Sequence, residues 1–178
     1  MKRVFAFLLC VITLFALVGC NGGEDSNPAK SVNLDLEAET DSIIGKYEIS
    51  GGKRYSSAST ELGKYLDDDL IRSYYGDAAS VPDFGNVEAY AVYIDESKPL
   101  DPCEFGIFKL KDASKAHEFM IYLKARIDLK IENAKAYPTM DTEALETAKF
   151  TKKDNYVWYC AVKGGNDEIN KNLEGKFN

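Results

Sequence analysis

Residues 89–94, Ala89-Tyr90-Ala91-Val92-Tyr93-Ile94, and residues 104–110, Glu104-Phe105-Gly106-Ile107-Phe108-Lys109-Leu110, decide the fold class. Both runs are dense in β-branched and aromatic residues, which suit a pleated surface with buried faces. Asp95 to Pro102, holding Pro99 and Pro102, predicts a wide turn between them. Lys111-Asp112 then opens the longest helix, from about Ala113 to Ala134. Ala116, Phe119, Met120, Leu123, Ile127 and Ile131 form its apolar stripe, and Lys115, Glu118, Lys124, Asp128 and Glu132 its polar face.

Toward the C-terminus the same order recurs. Tyr137-Pro138 stops the long helix, and Asp141 to Ala148 predicts a short one. Lys149 to Thr151, a Lys152-Lys153-Asp154-Asn155 turn and Tyr156 to Val162 predict a hairpin. Gly164-Gly165-Asn166 is a turn with a cap, and Ile169, Leu173 and Phe177 mark a closing amphipathic helix. Toward the N-terminus, Asp35 predicts an N-cap before Leu36, Ile43, Ile44 and Tyr47 at helical spacing, and Gly51-Gly52 breaks the chain. A second helix is expected over about Thr60 to Tyr75, closed by Gly76. Its Asp67-Asp68-Asp69 reads as a cap with acids favoured by the helix dipole. A calcium loop would instead space its oxygens at alternate positions and add a Gly and a distal Glu. The expectation is an α+β domain: an antiparallel sheet of about four strands (hairpin–helix, hairpin–helix), preceded by N-terminal helices.

The chain opens with Lys2-Arg3, runs apolar from Val4 to Val18 apart from Thr13, and closes Leu17-Val18-Gly19-Cys20. That order predicts a lipoprotein signal peptide over 1–19, cleavage between Gly19 and Cys20, and acylation of Cys20. The alternative is an uncleaved anchor, for which the apolar run is short against the roughly 20 residues a spanning helix needs. Residues 20–33, polar and rich in Gly, Ser and Asn, read as a lipidated cysteine and flexible tether, and 34–178 as a single domain. One acyl chain holds a protein only marginally, so stable attachment needs two or three. These features place the domain on the extracytoplasmic face of the cell membrane, held to lipid through Cys20. Losing Lys2 and Arg3 with the signal peptide takes the formal net charge from −7 to −9. Such an acidic surface argues against nucleic acid as a partner.

Four segments resemble a family of Gram-positive bacterial lipoproteins defined by a domain of unknown function, numbered 4358. They are Asp67 to Gly76, Cys103 to Asp112, Leu123-Lys124-Ala125-Arg126, and Lys149 to Val162 centred on Asn155-Tyr156. The resemblance covers about Leu34 to Phe177. It implies a lipoprotein with an extracytoplasmic α+β domain, and it supplies no catalytic residues, because the family has no assigned activity.

Candidate chemistry is sparse. Cys103 and Cys160 are the cysteines of the domain; outside the membrane they are either a disulfide or two small buried apolar residues. Two thiols without histidine or further cysteines do not make a zinc site, and no cofactor is expected. His117, the one histidine, admits a Cys–His pair, against the plainer reading of a solvated helix residue. No serine sits in a Gly-x-Ser-x-Gly elbow and no glycine-rich phosphate loop follows a strand. Glu104 and Arg126 are either part of a ligand pocket or an ion pair tying helix to sheet. With 11 tyrosines and one tryptophan, a face left bare of helices would present Tyr90 or Tyr93, Tyr156 and Trp158 to a sugar or protein; the competing expectation is that both faces are buried. The function expected is a non-enzymatic envelope module that binds another envelope protein, a peptide or a glycan. The alternatives are an accessory domain of envelope enzymology with a carboxylate-based site, or a small transporter-associated solute-binding lipoprotein.

Overall fold

Side-chain caps set the starts of the first two helices. Asp35 accepts a hydrogen bond from the Ala38 N–H at 3.0 Å and starts α1 (Leu36–Lys46), whose first turn carries Glu37 and Glu39. Asp67 accepts from the Leu70 N–H at 2.9 Å and starts α2 (Asp68–Tyr75). The helix expected from Thr60 therefore begins only at Asp68. Gly63 takes a left-handed φ of 82°, and the Leu66 N–H goes to the Tyr90 hydroxyl at 2.8 Å, so 57–67 is a loop.

The computed structural model describes residues 32–76 and 80–178. The expected signal peptide over 1–19, the Gly19–Cys20 cleavage and lipidation point, and the tether as far as residue 31 lie outside the described residues. Among the described residues no helix is long and apolar enough to cross a membrane.

The remaining elements are β1 (Lys53–Ser56), β2 (Val87–Asp95), β3 (Cys103–Leu110), α3 (Ala116–Ala134), α4 (Glu143–Glu146), β4 (Lys149–Lys153), β5 (Tyr156–Ala161) and α5 (Asn166–Gly175). The fold is α+β, and the sheet is antiparallel with five strands in the order β1-β2-β3-β5-β4. The strand beyond the expected four is β1. Its Lys-Arg-Tyr-Ser sequence buries only Tyr55 fully, because it is an edge strand with one neighbour.

Alternation along the strands builds two cores. Tyr90, Val92, Ile94, Phe108, Leu110, Val157 and Tyr159 face one side, where they meet Ile71, Tyr74 and Tyr75 of α2 and Phe119, Leu123 and Ile127 of α3. Ala91, Tyr93, Phe105, Ile107, Tyr156, Trp158 and Cys160 face the other, against Leu36 and Ile43 of α1 and Ile169 and Leu173 of α5. Both faces of the sheet are thus covered by helices. Burying each large apolar side chain stabilises the fold by about 1.5–3 kcal/mol relative to exposure. At Gly106 a Cβ would stand 2.9 Å from the Tyr159 ring, so the bare backbone is what lets Tyr159 lie across β3. The chain enters this layered domain over Tyr156, whose hydroxyl accepts from the Leu34 N–H at 3.1 Å and donates to the Val32 carbonyl at 3.4 Å.

Candidate functional site

Register places Glu104 at the start of β3, opposite Ile94 of β2 and Ala161 of β5. Arg126 and Lys130 lie one turn apart on the inner side of α3 and reach the same carboxylate. Arg126 donates from Nε to Oε1 at 2.7 Å and from Nη2 to Oε2 at 2.8 Å, and Lys130 donates to Oε2. The third guanidinium nitrogen donates to the Tyr74 carbonyl at 3.1 Å, and the guanidinium lies 4.8 Å from the Tyr74 ring centre. Glu104 is 0% exposed. Burial pushes its carboxyl up, but Arg126 and then Lys130 outweigh that and hold it below the ordinary carboxylate range. Two cations on one anion leave this carboxylate no free, accessible oxygen for proton transfer. What the arrangement does is lock α3 onto β3.

The aromatic candidates are also spoken for. Tyr90, Tyr93, Tyr156 and Trp158 are all buried: Tyr90 lies in the core under α2 and α3, and α1 and α5 close the face that holds the other three. Each polar tip ties an outlying segment to the sheet. Tyr90 holds Leu66, Tyr93 accepts from the Gly52 N–H at 2.8 Å, Tyr156 holds the entering chain, and the Trp158 indole donates to Asn170 of α5 at 3.0 Å. Phe177 stacks on Trp158 at 5.8 Å between ring centres. Of the two expectations, the structure holds the one in which both faces of the sheet are buried.

Cys103 and Cys160 are free thiols, and the expected alternative of a disulfide is not what the structure holds. Cys160 pairs with Phe105 and Cys103 with Asp95, so the two sulfurs do not oppose each other across the β3–β5 ladder. Burial pushes each thiol up to about 12. Both belong to the face under α1 and α5, whereas His117 is exposed on α3 over the opposite face, so the sheet separates them. Among the described residues no group of three His, Cys, Asp or Glu is placed to hold a metal ion.

The concavity that remains open was not legible as a site in the sequence. It is a groove of about 590 Å³ beside β1 on the α1 side. Glu37 and Thr40 of α1 form one wall, Ser59 and Lys64 of the loop after β1 the other, and β1 itself with Ala91 of β2 lies between. α1 packs mainly on β2 and β3, and reaches β1 through the Asp41–Arg54 ion pair. Gly52 is required here: a Cβ would stand 2.5 Å from the Tyr93 ring that crosses beneath it. Thr40 is 2% exposed, and among the described residues its Oγ1 is the one buried side-chain polar atom without a hydrogen-bond partner. An unmade hydrogen bond of this kind costs about 1–3 kcal/mol. The sequence signal was the Gly51-Gly52 break followed by the alternating Lys53-Arg54-Tyr55-Ser56, which is an edge-strand pattern.

A family model for a domain of unknown function (DUF4358) matches residues 59–162, more than half of the chain and a narrower span than the resemblance over 34–177. The matched span runs from the loop after β1 to the end of β5 and leaves α1, β1 and α5 outside. No curated protein and no solved structure matches the chain.

Proposed function

This chain belongs to the DUF4358 family, and we propose that it is a lipid-anchored binding module on the extracytoplasmic face of the cell membrane, whose partner is received in the groove between α1 and β1. The observation that carries the reading is the open groove itself, about 590 Å³ beside β1, a strand with a neighbour on one side only. The groove volume falls within the 300–1,000 Å³ typical of ligand sites. The Gly19-Cys20 ending of the apolar leader supports the anchor, and the acidic surface suits a domain held off an anionic membrane.

The carboxylate-based alternative draws less support, since Glu104 is enclosed and doubly paired. The test is photo-crosslinking on intact cells with a probe placed at Glu37, in the α1 wall of the groove. The wild-type chain captures a partner, Ser59→Trp, which fills the groove, loses it, and Cys20→Ser moves the chain out of the membrane fraction. Undiminished capture by Ser59→Trp, or processed Cys20→Ser chain still in membranes, overturns the proposal.

A further inference from the structure

Resting on the groove as the binding site, we infer that its occupant is an extended peptide segment bearing an acidic side chain, which adds as a strand to the free edge of β1 at Arg54.

Strand parity gives the geometry. β1 pairs with β2 at Lys53↔Ile94 and Tyr55↔Val92, and the Ser57 N–H continues the ladder to the Tyr90 carbonyl at 3.1 Å. Successive peptide groups in a strand face opposite ways, so Lys53, Tyr55 and Ser57 address β2 while Arg54 and Ser56 address the outside. At Ser56 the outside is already occupied, because its N–H donates to the Lys64 carbonyl at 2.8 Å. The chain's own loop therefore pairs with this edge one step away. The next outward peptide groups, the N–H and C=O of Arg54, lie on the groove and beyond the last strand of the sheet. An exposed pair of this kind is a template for a further strand.

Chemistry narrows the occupant. A sugar needs an open aromatic platform, and the one aromatic residue in the lining, Tyr55, is 2% exposed. An apolar ligand would strand the charged groups of the rim. Arg54 is paired with Asp41, and Lys64 with Glu61 at 2.8 Å. Lys53 lies at the same free edge with its side chain on the Tyr55 face, is exposed, and is in no ion pair among the described residues, which leaves one cation for an acidic side chain on that face of the added strand. A segment of five residues spans about 17 Å, enough to run the length of β1.

The probe is a pool of acetylated, amidated pentapeptides with Glu at the centre and the other positions varied. Binding to the full chain is followed by fluorescence anisotropy and by the amide shift of Arg54. Arg54→Pro removes the outward N–H while leaving the β2 ladder intact, and Arg54→Ala keeps it. Wild type and Arg54→Ala bind the pool, Arg54→Pro binds at least about tenfold more weakly, and Lys53→Glu loses about tenfold, one charge-assisted contact. A second arm needs no variant: a pool methylated on alternate backbone nitrogens does not bind the wild type. Equal binding by the methylated pool, no loss in Arg54→Pro, no binding by the wild type, or the same Arg54 shift from inorganic phosphate alone each overturns the peptide assignment. If the pool fails while Ser59→Trp still abolishes crosslinking, only this assignment falls; if both fail, the groove reading falls with it.

Discussion

Arg126 meets Glu104 side-on, with two parallel hydrogen bonds of 2.7 and 2.8 Å between guanidinium and carboxylate, while its side chain is only 8% exposed. Both charges are out of water and both are needed. Removing one partner strands the other, at a cost of about 3–5 kcal/mol. Glu104→Gln and Arg126→Met therefore each lower stability by about 3 kcal/mol, read as a lower urea midpoint at unchanged slope. Replacing Glu104, Arg126 and Lys130 together by apolar residues of similar volume restores most of the loss. A single variant within 1 kcal/mol of wild type would show that this pair is not what holds α3 to β3.

Acid sensitivity follows from the same carboxylate. Its folded value lies below the ordinary glutamate value of 4.5, so the folded state favours the ionised form. The stabilisation is full above that ordinary value and is lost as the pH falls through the folded value. Urea midpoints measured from pH 6 down to pH 3 fall more steeply for wild type than for Glu104→Gln, which has no proton to take up at this position. Parallel profiles would place the acid sensitivity elsewhere.

Thr40→Val removes a hydroxyl that makes no hydrogen bond and keeps the shape of the side chain. Stability rises by about 1 kcal/mol, seen as a higher midpoint in thermal unfolding, because a buried unsatisfied group is gone. A destabilised Thr40→Val chain would show that the hydroxyl is satisfied in solution.

Cys103 and Cys160 resist thiol reagents in the native protein at pH 8. With each thiol pushed up to about 12, roughly one molecule in ten thousand carries the reactive thiolate. Mass spectrometry of labelled peptides shows both sites modified only in urea. A peptide pair joined by sulfur before denaturation would contradict the free thiols.

Gly106→Ala places a methyl 2.9 Å from the Tyr159 ring and 3.1 Å from Val92. Neither neighbour has room to yield, since Tyr159 is 1% exposed and Val92 0%. The variant loses about 1–3 kcal/mol, as overpacked cores do, and Gly106→Ser loses no less.

The central hairpin and the helix after it were legible because apolar content and period agree there: β2 and β3 alternate between two buried faces, and Phe119, Leu123 and Ile127 repeat at helical spacing. The Asp35 and Asp67 caps were legible for a local reason, since a carboxylate reaches an N–H three residues on. β1 was not, because an edge strand half in water carries little apolar signal. The start of α2 was misplaced because Gly63 and a hydroxyl 24 residues away at Tyr90 take that loop out of the helix. Whether the aromatic face was bare or buried stayed open in the sequence, because covering it depends on α1 and α5, which are far apart along the chain. Glu104 and Arg126 could be paired from element order, but Lys130 and the groove needed three dimensions.

The Tyr156 hydroxyl accepts from Leu34 and donates to Val32, so a pull applied at Val32 reaches β5 as well as the start of α1. β5 has neighbours on both sides, and shearing it free means breaking its ladders to β3 and β4 together. The groove lies at the opposite edge of the sheet, at β1, away from that point of load.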